Sequence, residues 1–346
     1  MRPEVKAGSD SLDEAEWDAY VEGHPRATGY HLIAWRRVIE RVFGHQTVYL
    51  TARDEDGRIR GVLPLVFLSS RLFGRFLVSL PFVNYGGLLT DDTRFQEELL
   101  VKAIEQARKL GADHIELRHQ DVSGLCWPQK QHKVSMRLEL PAEFDALWKK
   151  FPGKLRSQIH RAEKEGMIFR LGGEDVLKDF YAVFSRNMRD LGTPVYGSVF
   201  FAEILRAFPA KSRIGVVYLN KEPIAAGFLY GFRRLLEIPW ASSDRRYNRL
   251  APNMLLYRSV LEYACREGFR VFDFGRSTPD SGTCRFKEQW GARPVQLSWH
   301  YWLSNAGPLP DLTPSNAKFR WAISLWQRLP LMVSRCFGPA IVRYIP

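Results

Sequence analysis

The chain lacks most features that would assign it quickly. Its four cysteines, Cys126, Cys265, Cys284 and Cys336, are scattered, with no Cys-x-x-Cys pair and no histidine at ligand spacing, so neither a zinc site nor a disulfide framework is indicated. That usage fits a reducing compartment. There is no G-x-x-x-x-G-K-[ST] loop, no G-x-G-x-x-G after the first strand, no H-E-x-x-H and no G-x-S-x-G, which removes support for the familiar nucleotide-binding, metalloprotease and α/β-hydrolase classes. The opening residues, MRPEVKAGSDSLDEAEWDAY, are acidic and polar where a secretory signal needs a basic start and an apolar run, and a cytoplasmic protein is expected. The most apolar stretch, GVLPLVFLSSRLFGRFLVSLPFVNYGGLL, is broken by Arg71, Arg75, proline and glycine, so it reads as strands rather than a spanning helix. No acid follows Asp311.

The composition itself is that of a folded globular chain, 45% hydrophobic and 25% charged over 346 residues, a length that suits two domains, each with its own core. The net charge of +12 favours anionic partners: nucleic acid, a phosphorylated carrier, a nucleotide-linked sugar or a membrane face.

Residues 48–119 and 217–276 follow one course twice. VYLTARDEDGRIRGVLPLVF and VYLNKEPIAAGFLYGF each read as a hairpin, apolar runs flanking a polar turn. FLVSLPF and LLEIPWAS are third strands, followed by the loops VNYGGLLTDD and SDRRYNRLAP. Leu100, Ala103, Ile104 and Ala107 in one copy, and Leu256, Val260 and Tyr263 in the other, recur at helical spacing; the helices stop near Gly111 and Gly268 and lead into the buried strands HIELRH and RVFDFG. Hairpin, strand, helix, strand predicts a mixed α/β layer with a mixed sheet, duplicated. The expected domains are 1–145 and 146–310, followed by a basic tail over 311–346. Between the copies, FPGKLRSQIHRAEKEG (151–166) predicts a helix with Leu155, Ile159 and Ala162 inward and Arg156, His160 and Lys164 outward, either a solvated face or one wall of a ligand cleft.

Positive charge gathers at two places in the second copy. SDRRYNRLAPN carries Arg245, Arg246 and Arg249 together with Asn253, and the stretch VFDFGRSTPDSGTCRFKEQWGARP carries Arg276, Arg285, Lys287 and Arg293 just past a strand end. In a mixed sheet the two loops meet at one edge and form an anion-binding mouth. Asp273, inside an apolar strand, needs a partner, an arginine such as Arg276 or a backbone amide. Trp240 and Trp290 flank the region and suit either the core or a stacked substrate.

The topology resembles the GNAT acyltransferase fold in tandem, and YHLIAWRRVIERVFGH, LPFVNYGG, RNMRDLGTPVYG, EIPWASSDRRYNRLAPNMLLY, FDFGRSTPDSGTCRFKEQWGA and WQRLPLMVSRCFGPAIVR resemble the FemAB family, in particular its branch associated with exosortase A, or PEP-CTERM, systems. FemAB members transfer amino acids from aminoacyl-tRNA to peptidoglycan precursors. The resemblance implies that Phe286 and Lys287 occupy the motif whose lysine binds donor and stabilises developing charge; Asp273, from its own strand, is the other catalytic candidate. It also implies that Lys154 and Arg156 hold an anionic acceptor; the anion-binding mouth and its flanking rings add Trp240, Arg245, Arg246, Asn253, Arg276, Arg285 and Trp290 as substrate-site candidates. Two family features are missing: the Q/R-x-x-G-x-G/A run that grips the pyrophosphate of acetyl-CoA, and the coiled-coil arm of several FemAB proteins. The donor therefore stays open among aminoacyl-tRNA, acyl-CoA and acyl carrier protein, with no tightly bound cofactor and no metal required.

The resulting expectation is a cytoplasmic N-acyltransferase acting on an envelope peptidoglycan or exopolysaccharide precursor, in which an acceptor amine attacks an activated acyl group and Lys287 steadies the oxyanion. Asp273, His160 and substrate-bound water remain as bases. The alternatives are a non-catalytic tandem-GNAT protein that holds an anionic glycan or lipid-linked precursor, and an RNA-binding protein. In the tail from Ala317, apolar Phe319, Ile323, Leu325 and Trp326 with basic Lys318, Arg320, Arg328, Arg335 and Arg343 predict either packing on the second domain or contact with the inner membrane face.

Overall fold

The computed structural model describes residues 4–7, 13–120, 124–310 and 320–345. In chain order they form β1 (Glu4–Ala7), α1 (Glu14–Gly23), α2 (Ala34–Phe43), β2 (Gln46–Arg53), β3 (Ile59–Ser70), β4 (Gly74–Val78), α3 (Thr93–Leu110), β5 (His114–His119) and β6 (Gln129–Glu139). There follow α4 (Phe144–Lys150), α5 (Gly153–Lys164), β7 (Ile168–Gly172), α6 (Leu177–Leu191), α7 (Ser198–Ala207), β8 (Ser212–Leu219), β9 (Glu222–Phe232), β10 (Leu235–Ser243), α8 (Pro252–Arg266), β11 (Val271–Ser277) and α9 (Gly282–Glu288). The last elements are β12 (Arg293–Leu303), α10 (Arg320–Gln327) and α11 (Leu331–Val342). Two compact units result, one drawn from residues 1–132, 296–312 and 343–346, the other from 133–295 and 313–342.

In the first unit the strand order is β1-β2-β3-β4-β5-β12. All neighbours are antiparallel except β4 and β5, which run parallel from Phe76↔His114 to Val78↔Glu116. The hairpin turn is closed by Asp54, whose carbonyl accepts from Gly57 N at 2.9 Å while its carboxylate accepts from Arg58 N. The crossover helix α3 starts where Asp92 accepts from Arg94 N at 2.8 Å and stops at Gly111, whose φ of 61° only glycine adopts freely. Its apolar side, Leu99, Ala103 and Ala107, packs on Leu50, Leu63, Leu65, Leu77, Ile115 and Leu117. Burying each such leucine or isoleucine contributes about 1.5–3 kcal/mol.

The second unit repeats the plan with strand order β7-β8-β9-β10-β11-β6. Its single parallel pair is β10 with β11, from Leu235↔Val271 to Glu237↔Asp273. The β8–β9 turn has two residues, Asn220 and Lys221, at φ 49° and 67°, the twisted type I′ turn that suits a tight hairpin. Helix α8 opens with Pro252 in its first turn and lays Leu256, Val260 and Ala264 on Val217, Leu236, Ile238, Phe272 and Phe274. The strand beside β5 is β12, which follows β11 in sequence, and the strand beside β11 is β6, which follows β5. Each sheet is thus completed by the strand that chain order alone would give to the other. The duplicated hairpin, strand, helix and strand are present in both copies, and the fold is a tandem GNAT layout.

Candidate functional site

In the second unit a fork opens between the two parallel strands. The paired register of β10 and β11 ends at Glu237 and Asp273, and both strands bulge at that level, β10 against β9 between Glu237 and Trp240, β11 against β6 between Asp273 and Arg276. A bulge turns strand atoms out of the ladder and re-aims side chains, and bulges cluster next to active sites.

Lys287 of α9 reaches this level. Its ammonium donates to Gly275 O at 2.9 Å and Arg276 O at 3.1 Å, and the residue is 7% exposed. Burial pushes the ammonium down to about 8, while the carboxylates of Asp273 and Glu237 act to hold it up. An ammonium has three donors, so one N–H remains after these two bonds. Asp273 is fully buried and accepts from Ser135 Oγ at 2.6 Å, Gly275 N at 2.8 Å and Arg137 Nε at 3.1 Å. Arg137 of β6 is thus an arginine partner of Asp273, and the Gly275 amide is a backbone one. Glu237 is likewise buried, at the last paired position of β10.

The other candidates occupy varied settings. Asn253 donates to Ser243 Oγ at 3.2 Å at the start of α8. Arg246 is spent on ion pairs, to Asp244 at 2.8 Å and Glu222 at 2.6 Å, and Asp244 also pairs with Arg186. Arg245 and Arg285 are exposed, and Arg276 lends its carbonyl to Lys287. Trp290 is buried among Phe151, Tyr257, Phe274 and Phe286. Trp240 meets Phe200, Phe201 and Phe228 edge-on. Trp290 is packed as a core ring, whereas Trp240 is half-buried against its phenylalanines. On α5, Arg156, Ser157, His160, Arg161 and Lys164 line an open groove of about 630 Å³, whereas Lys154 is exposed outside it. His160 is held by Glu163 at 3.0 Å.

Sequence reading missed Ser135, Arg137 and Glu237. Glu237 sits in the apolar run LLEIPW, the same signal that singled out Asp273 in RVFDFG. The first unit shows a contrasting version of the fork. Beyond Val78 and Glu116, buried residues 79–90 continue along β5, with Ser79 N donating to Glu116 O, Gly86 N to Arg118 O and Leu88 N to His119 Nε2. Since His119 Nε2 accepts, its Nδ1 carries the proton and donates to His300 Nδ1 at 3.1 Å. His31, accepting from Thr28 N at Nδ1, donates from Nε2 to Gly87 O at 3.0 Å. Burial pushes His31 down to about 4, so these rings act as neutral pins. A side chain at Gly87 would lie 2.2 Å from the His119 ring. The first fork is sewn shut by its own chain; a polar pocket of about 160 Å³ between His31, Arg118 and His119 is what remains.

Two antiparallel-fed parallel strands with a crossover helix and a fork between them define a GNAT-type fold. Consistent with that, residues 149–288 match the family described as acetyltransferase (GNAT) domain. No curated protein sequence matches the chain. Among solved structures the chain is similar to FemX at TM-score 0.65 and 16% identity, covering 85% of this chain and 96% of that one. It is also similar to a tandem GNAT protein from the clavulanic acid biosynthesis pathway, at TM-score 0.57 and 15% identity over 89% of this chain and 100% of the other. A third likeness is to L-PGS from Bacillus licheniformis, at TM-score 0.55 and 14% identity over 94% and 97% of the two chains. These likenesses establish the fold.

Among the described residues no group of three or more histidines, cysteines, aspartates or glutamates could hold a metal ion, and no helix is long and apolar enough to cross a membrane.

Proposed function

We propose that the chain is a GNAT-type acyltransferase that moves an acyl or aminoacyl group onto an amine of an anionic cell-envelope precursor, peptidoglycan or exopolysaccharide. The observation that carries this reading is Lys287, an ammonium buried at the second fork, fixed on two carbonyls with one donor left over. Aminolysis of an ester or thioester passes through an oxyanion, and a pre-positioned cation in a dry site stabilises it without reorganisation. Burial keeps that cation near its titration point, so it can also pass a proton. Asp273, clamped by three donors, positions β11 and its glycine rather than meeting substrate. The basic groove on α5 would take the acceptor's anionic group, with Lys154 at its margin. The FemAB resemblance, including the exosortase-associated branch, and the fold shared with FemX favour an aminoacyl donor. The GNAT domain match favours acyl-CoA.

The test offers aminoacyl-tRNA, acyl-CoA and acyl carrier protein in turn, with envelope-extract acceptors, and reads added mass. Transfer from any one of them supports the enzyme; acceptor retention on the protein with no added mass from all three would favour the binding-protein alternative.

A further inference from the structure

The tail is anchored by one face and carries apolar side chains on the other. Its inner face is small and close-packed: Ser334, Gly338 and Val342 of α11 are buried at i, i+4 and i+8, and a side chain at Gly338 would come within 2.8 Å of Val195 N. Arg189 donates to Leu329 O at 2.9 Å, Gln327 to Asp190 O at 3.2 Å and Arg335 to Ser185 Oγ at 2.8 Å, so α10 and α11 are fixed on α6. An ordinary surface helix would then show charge to water. Here the outward positions are Trp321 (71% exposed), Leu325 (56%), Met332 (81%) and Phe337 (58%), four of the nine large apolar side chains exposed among the described residues. Trp321 and Leu325 are one turn apart on α10, and Met332 and Phe337 share the outward side of α11 with exposed Cys336 and Ala340. Leu191 and Val199, at the adjoining ends of α6 and α7, are exposed too.

Charge selects the occupant. The sequence holds no acid after Asp311, and Arg328 is exposed beside the apolar face. A second copy docking by a two-fold would set one basic tail against another. An anionic lipid surface attracts it, and exposed Trp, Phe, Leu and Met flanked by arginine are the side chains that settle at the headgroup boundary. We infer that the outward face of α10 and α11 is a docking surface for a bilayer containing anionic phospholipid, on which the protein lies without spanning. Ala317, Lys318 and Phe319, which the sequence also places in this basic apolar tail, lie outside the described residues, as does the side chain of Arg320.

Co-sedimentation of the full chain with vesicles of phosphatidylcholine alone, and of phosphatidylcholine mixed with phosphatidylglycerol, tests the inference. The expected result is partition onto the mixed vesicles at low salt only, reduced about fivefold by Arg328→Gln and at least about tenfold by Trp321→Ser/Met332→Ser/Phe337→Ser. All three serines replace exposed side chains, and the melting transition checks that the fold survives; Met332→Glu/Phe337→Glu is the second variant and should abolish partition. Wild-type protein left in the supernatant, equal partition onto both vesicle types, or wild-type partition in both variants would overturn the inference. So would sedimentation without vesicles, or a dimer in light scattering that the variants convert to monomer, since a second copy would then cover the face.

Discussion

Replacing Lys287 by methionine removes the ammonium and keeps the side chain's bulk. The fall of that ammonium from an ordinary 10.5 to about 8 means that the folded protein carries a buried charge at a cost of about 3 kcal/mol. The variant sheds that cost but strips Gly275 O and Arg276 O of their donor, at about 1–3 kcal/mol each. The two effects nearly offset, so the melting temperature should move by only a few degrees. The transfer rate at saturating substrate should fall about 10²–10³-fold, the loss typical of a deleted oxyanion donor. In the wild type the charged form acts, so activity should decline as pH rises through about 8. Stability moves the other way: between about 8 and 10.5 the unfolded chain still holds the proton that the folded chain has released, so unfolding becomes harder across that window. Denaturant midpoints and initial rates over one pH series read both. A variant that transfers at the wild-type rate, or a wild-type rate that climbs above pH 8 and stays high, would refute the assignment.

Asp273→Ala should destabilise the second unit by about 3 kcal/mol, because Arg137, Ser135 and Gly275 N all lose their acceptor in a buried setting; chemical denaturation measures it, and a change under about 0.5 kcal/mol would contradict the clamp. Lys154→Ala/Arg156→Ala should raise the acceptor KM several-fold with little change in rate at saturation, and should flatten the dependence of KM on salt; an unchanged KM returns α5 to a solvated face.

Much of the fold could be read in the letters, because its elements are locally determined. Apolar alternation and polar turns marked β2–β3 and β8–β9, the 3.6-residue stripes marked α3 and α8, and Gly111 and Gly268 marked their ends. Partner choice at the sheet ends was not readable: β6 and β12 have no local feature that assigns one to β11 and the other to β5, since that pairing is fixed by long-range hydrogen bonds. At the site, Lys287 and Asp273 stood out as a motif lysine and a carboxylate in an apolar strand. Ser135 and Arg137 lay hidden in QKQHKVSMRLE, whose contribution depends on which strand it meets, and Arg246 looked available until Asp244 and Glu222 closed on it. Trp240 and Trp290 illustrate the ambiguity of aromatic residues beside a strand, which serve core and ligand alike until their neighbours are known.

The proposed function requires that the fork of the second unit take the donor, that of the first being closed by residues 79–90. Amide hydrogen exchange with and without each of aminoacyl-tRNA, acyl-CoA and acyl carrier protein tests it most directly. The donor that supports transfer should slow exchange in residues 236–243 and 271–288 and leave 74–90 and 114–119 unchanged. Protection centred on the first unit's strands, or transfer without any protection in the second, would contradict the account.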